Sequence, residues 1–217
     1  MKFSPKKSVH ALSLTALVLM AVLAGCSSEA DGNPELEETT DASSPEPTEY
    51  VPASAEGPAQ NVPEPRLPAV TTEDSEEGAI AALQYFWEAE SYASLTGNSE
   101  PLIVVSSDEC AFCTESIEGW PRNYERGYWS AMHGEIEVKV TEVVRDLEDK
   151  DSANVAHLYF ELVEPPTDFY DEEGNRSEGS FDSSEKQDWL AELTYDATAQ
   201  SWQVEWLGLE DAVVWED

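Results

Sequence analysis

The chain is short of positive charge. Its 11 Lys and Arg stand against 46 Asp and Glu, a formal net charge of −35. A surface of that sign is repelled by phosphates, which excludes nucleic acid as a partner and keeps the chain off anionic head groups. Thiols and imidazoles are scarce as well, with three cysteines and three histidines in 217 residues. A structural zinc site takes about four such ligands. Past residue 26 only Cys110, Cys113, His133 and His157 remain, and the two histidines carry no ligand spacing. No metal and no cofactor is expected. Also missing are a Gly-x-Ser-x-Gly elbow, a phosphate loop and a metalloprotease helix motif, so no catalytic residue is assigned. Long apolar runs are confined to the first 25 residues.

Those residues, 1–25, read as a secretory signal. Lys2, Lys6 and Lys7 precede the apolar run "ALSLTALVLMAVLA" (11–24), which is shorter than the ~20 residues a membrane span needs. The run ends in Leu23-Ala24-Gly25-Cys26, which resembles the lipobox of bacterial lipoproteins. The resemblance implies that Cys26 is lipidated, palmitate-type chains included, and that the signal is cut before it. The expected location is the extracytoplasmic side of the cell membrane, with the N-terminal lipid as the membrane contact. Such a compartment permits disulfides.

Residues 26–72 are expected to form a disordered tether. Between 27 and 72 lie eight of the 13 prolines and ten acids against one base, Arg66. Large apolar residues are too few there to offset the entropy of ordering. Residues 73–210 then suit one domain, and 211–217 a short tail.

Within the domain the period of the apolar residues changes once. From 75 to 97, Ile80, Leu83, Phe86, Trp87 and Tyr92 recur at helical spacing behind a capping Ser75 and before Gly97. Ser99 and Pro101 predict a helical turn over 102–105. A further helix is predicted from Asp108 through both cysteines and Ile117, interrupted at Trp120-Pro121 and resuming to Arg126. Then the period becomes two: "EIEVKVTEVV", "VAHLYFELV", "DWLAELTY" and "WQVEWLG" alternate as strands. Helices followed by an antiparallel meander make an α+β fold, the helices covering the apolar face of a curved sheet of four or more strands.

That order, with its tryptophan-rich last hairpin, resembles the NTF2-like cone of SnoaL or ketosteroid-isomerase type. The pieces "ALQYFWEAESYASLTGNSEPL", "SSDECAFC", "YERGYW" and "EIEVKVTEV", in that order over about 76–208, resemble an uncharacterised actinobacterial lipoprotein family, a domain of unknown function. The chain departs from that pattern where a glycine pair is expected after the tyrosine: Gly127 is followed by Tyr128 and Trp129. The resemblance implies a fold and no activity.

Three constellations bear on function. Cys110 and Cys113 read first as a local disulfide; a redox-active pair is the alternative, though Asp108 and Glu109 would raise a thiol's pKa and no βαβ setting surrounds them. The acidic stretches 146–154 and 168–182 lack the spacing of a calcium loop and read as solvated turns. Alternation along the strands offers His157, Tyr159, Asp188 and Glu192 as polar groups for a cone pocket, on a face that also suits solvent or a partner. The composite expectation is an envelope lipoprotein whose domain binds a small ligand or an envelope protein without turnover. The alternatives are thiol–disulfide exchange and small-molecule catalysis in the cone.

Overall fold

A computed structural model of the chain describes residues 49–145 and 154–210, all within one unit of the fold. The signal segment, Cys26, the acidic turn 146–153 and the tail 211–217 lie outside them.

Helix α1 (Glu76–Thr96) starts as its sequence dictates. The Ser75 hydroxyl accepts from the Gly78 N–H at 3.0 Å, and Glu76 and Glu77 sit in the positive first turn. It stops at Gly97, whose φ of 71° is left-handed and whose added Cβ would lie 2.5 Å from the Tyr124 ring. The inward stripe runs Ala79, Ala82, Leu83, Phe86, Trp87, Glu90 and Ala93, all buried. One member of that stripe is an acid.

A short α2 (Glu100–Ile103) carries Pro101 in its first turn. Helix α3 (Ala111–Glu125) starts later than predicted, with Cys110 as its N-cap, and runs unbroken through Pro121. The expected interruption does not occur, and the reason is local. Proline at 121 leaves the Ile117 carbonyl without its i+4 donor. The hydroxyl of buried Ser99 donates to that carbonyl at 2.9 Å, so the acceptor that the proline leaves open is satisfied as the helix continues.

The four expected strands form one antiparallel sheet in the order β2-β3-β5-β6: β2 (Glu137–Val144), β3 (Val155–Glu164), β5 (Glu185–Asp196) and β6 (Ser201–Leu209). Bulges between Val140 and Glu142 and between Glu192 and Leu193 bend it. Ala156, Leu158, Phe160 and Leu162 of β3, with Ala191, Leu193, Trp202 and Val204, make its buried face against α1 and the cysteine pair. The fold is α+β, helices over one face of a curved antiparallel sheet.

Two features were not expected. Strands β1 (Trp129–Met132) and β4 (Thr167–Tyr170) pair as a separate antiparallel ribbon, Ser130 opposite Phe169. At four residues each they are too short to show a period. The second concerns the tether, whose described part, 49–72, is ordered. Val51 pairs with Gln60 and Ser54 with Gly57, and a 3-10 turn spans Ala69–Thr72. Composition registers burial, but this segment is held by hydrogen bonds to its backbone. Trp129 Nε1 donates to Ser54 O at 2.8 Å and Tyr195 Oη to Thr72 O at 2.7 Å, and just past the segment Trp202 Nε1 donates to Glu73 O at 2.8 Å.

Candidate functional site

The four polar groups offered from strand alternation do not share a cavity. On β3 the even-numbered residues face the core, so His157 and Tyr159 face outward. His157 meets Glu192 of β5 across the strands at 3.0 Å, and Asp188 is exposed opposite Glu161. This is a solvated sheet face, laced by cross-strand pairs that include Lys139 and Lys186 on Glu161. The period puts these residues on one face of the sheet, and their polarity is what keeps them outside.

The inward polar groups come from other places. Glu90 of α1 is 9% exposed and projects into a cavity of about 190 Å³ whose walls include Trp87, Phe112, Trp120, Phe169 and Trp189. Glu164, the residue that extends the core-facing alternation of β3 past Leu162, lines the same cavity. Trp120 Nε1 lies 3.0 Å from each carboxylate oxygen of Glu90, and the Ser116 hydroxyl donates to Oε1 at 3.3 Å. Burial raises the Glu90 carboxyl to about 7; the Trp120 and Ser116 donors pull the other way, and Glu164 adds to the rise. The Glu164 carboxyl is also raised, by burial first and then by Glu185 beside it on β5. The site is therefore a buried acid, Glu90, that holds its proton up to about 7, with a second acid, Glu164, raised in the same direction, set among aromatic rings.

A third polar group points to an occupant. The indole nitrogen of Trp87 is buried and has no hydrogen-bond partner among the described residues. Its ring sits in a cluster with Phe86, Phe112, Phe160 and Trp189, at centroid distances of 5.5 to 6.3 Å. Leaving such a donor unmade costs roughly 1–3 kcal/mol. By contrast, the hydroxyls of the wall are committed to backbone carbonyls: Ser94 to Ser91, Ser130 to Ser94, Thr167 to Pro165. None is held as an activated nucleophile.

Cys110 and Cys113 are joined in a disulfide and both are buried. The Cys113 N–H donates to Cys110 Sγ at 3.2 Å, so the bridge also caps α3. His133 is engaged with Asp168 at 2.8 Å and His157 with Glu192. Among the described residues no group of His, Cys, Asp and Glu is arranged to hold a metal ion, and no helix is long and apolar enough to cross a membrane.

Comparison with known proteins adds a family and little else. No curated protein matches the chain. Of solved structures, the intermembrane space region of the chloroplast protein ARC6 is similar at 12% identity and a TM-score of 0.45, over 62% of this chain and 95% of that one. A ketosteroid isomerase-like protein from Erwinia carotovora atroseptica SCRI1043 is similar at 18% identity and a TM-score of 0.35, over 61% and 88%. Likenesses this loose carry no argument about the cavity. The sequence itself is more specific: residues 48–207, which take in the ordered part of the expected tether, both acids of the cavity and the cysteine bridge, match the model of a family of unknown function, DUF6318, and the chain belongs to that family.

Proposed function

We propose that the chain is a lipid-anchored cell-envelope protein whose domain holds a small, mostly apolar molecule with one hydrogen-bond acceptor in the Glu90 cavity, without turning it over. The observation that carries this reading is the buried Glu90 carboxyl in an aromatic cavity that Trp87 also lines, the indole Nε1 of Trp87 having no partner among the described residues. A protonated carboxyl and an indole N–H are both donors, so a ligand carbonyl or ether oxygen is the complementary group. The aromatic walls take the apolar remainder. At about 190 Å³ the cavity is smaller than the ~300 Å³ at which drug-sized sites begin, which selects a molecule of a few heavy atoms or one end of a longer one. Membrane anchorage rests on the lipobox-like Leu23-Ala24-Gly25-Cys26 alone.

Cyclohexanone is the probe that tests it. Nuclear magnetic resonance should show a saturable shift of the Trp87 indole N–H with cyclohexanone and a much weaker one with methylcyclohexane. The Trp87→Phe variant should bind cyclohexanone less tightly while keeping its fold. Equal response to ketone and hydrocarbon, or no saturable response to either, overturns the reading.

A second reading is favoured by one observation. A carboxyl that titrates near 7 is suited to proton transfer as well as to hydrogen bonding. If Glu90 moves protons, the α-hydrogens of bound cyclohexanone exchange into deuterium oxide in the wild type and not in Glu90→Gln. Thiol–disulfide exchange gains no support, because an attacking thiolate has no access to a buried bridge.

A further inference from the structure

A second concavity shares Trp120 and Phe169 with the first, and is chemically unlike it. It measures about 550 Å³, within the ~300–1,000 Å³ range of ligand sites. Its walls are largely aromatic, with Trp120, Tyr124, Tyr128, Trp129, Phe169 and Tyr170 among its lining residues. Trp120 stacks on Phe169 at an interplanar angle of 19°, and Trp129 stacks on Tyr170 at 27°. Tyr128 stands at the rim, 42% exposed. Each stacked pair fixes the tilt of its indole, so the surface is set before anything binds.

The floor is equally fixed. Arg176 is clamped between Asp168 and Asp182. Asp171 accepts from the backbone N–H groups of Glu173 and Asn175 and from the Asn175 amide, closing the loop at the edge of the cleft. Two polar side chains are left over: the Asn123 amide and the Tyr128 hydroxyl line the cleft and make no hydrogen bond among the described residues.

Ring faces carry negative potential and attract polarised C–H groups, while amide and phenol groups pair with hydroxyls. A flat molecule with C–H bonds on its faces and hydroxyls round its edge meets both demands. We propose that this cleft binds the pyranose rings of a neutral oligosaccharide. The charge fixes "neutral". Among the described residues the one cation lining the cleft, Arg176, is matched by two carboxylates, and the chain carries −35 overall. A glycan with carboxylates or phosphates is repelled. An aromatic cleft also suits proline-rich peptide, but the chain's own proline-rich stretch, 27–72, holds ten acids against one base and meets the same repulsion.

The test uses the lipid-free chain, residues 27–217, titrated by nuclear magnetic resonance with the neutral trisaccharides maltotriose, cellotriose and triacetylchitotriose. A peptide copying residues 34–48 is titrated in parallel. At least one trisaccharide should bind saturably with a Kd of about 1 mM or tighter, shifting the Trp129 indole N–H and leaving that of Trp87 in place. Tyr128→Ala and Asn123→Ala, both away from the packed core, should each weaken binding about five- to tenfold. Neither variant should alter the cyclohexanone response at Trp87, so failure here and failure of the inner cavity are separate results. No saturable binding by any of the three sugars, binding that both variants leave unchanged, or tighter binding of the peptide than of every sugar overturns the proposal.

Discussion

Trp120 Nε1 sits 3.0 Å from both carboxylate oxygens of Glu90, a single N–H shared by an acid that burial pushes towards neutrality. The two effects oppose each other, and burial wins. An indole N–H satisfies part of the carboxylate but cannot replace the water removed from it.

A pH dependence of stability follows from that outcome. The folded Glu90 titrates near 7 against 4.5 for the unconstrained group, so the folded state binds the proton more tightly. Stability therefore falls as pH rises from about 4.5 to about 7 and levels off beyond, by at most ~3 kcal/mol from this residue. Glu164 acts in the same direction. Urea denaturation at pH 5 and pH 8 should show Glu90→Gln losing most of this fall relative to wild type. Identical pH dependence in the two proteins would contradict it.

The proline in α3 makes a coupled prediction. Ser99→Ala leaves the Ile117 carbonyl without the 2.9 Å bond it now accepts and should cost about 1–3 kcal/mol. Pro121→Ala supplies a backbone N–H to the same carbonyl, so the Ser99 substitution should cost less in that background. A double-mutant cycle by urea denaturation reads the coupling; strictly additive effects would show that Ser99 does not repair the proline.

The buried bridge should behave as structure. Replacing Cys110 and Cys113 together by alanine removes a three-residue-separated crosslink and should lower stability by about 2 kcal/mol on the chain-entropy model. Millimolar glutathione should leave the folded wild type oxidised and reduce it only after urea unfolds it, as thiol trapping and mass spectrometry would record. Rapid reduction of the folded protein would reopen the redox reading.

The proposed anchorage rests on Cys26. In a bacterial host fed an alkyne-labelled palmitate analogue, the wild type should take up label and partition into detergent phase, and Cys26→Ser should do neither. Equal partitioning of the two would remove the lipid from the proposal.

Strands and the long helix were legible because their apolar residues keep a clear period over seven or more positions. The cavity was only half legible. Glu90 falls in step with Ala79, Leu83, Phe86 and Trp87 on α1, and Glu164 in step with Leu158, Phe160 and Leu162 on β3; an acid in phase with a buried stripe was the available signal. The polar face of the alternation offers His157, Tyr159, Asp188 and Glu192 instead, and these stay in solvent or in cross-strand pairs. What no local pattern contained was the long-range repair. Ser99 lies 18 residues before the carbonyl it satisfies, and Trp129 lies 75 after the one it holds. The outer cleft was hidden for the same reason, since its rings come from α3, β1 and β4, and the last two are too short to announce themselves.

Carbon-detected nuclear magnetic resonance of the Glu90 carboxyl, titrated with and without saturating cyclohexanone, tests the inner site most directly. A ligand carbonyl accepts only from the protonated acid, so the midpoint should lie near 7 in the free protein and move upward when the ketone is bound. A midpoint in the ordinary carboxylate range, or one that cyclohexanone leaves in place, would contradict a cavity built to hold a neutral acceptor.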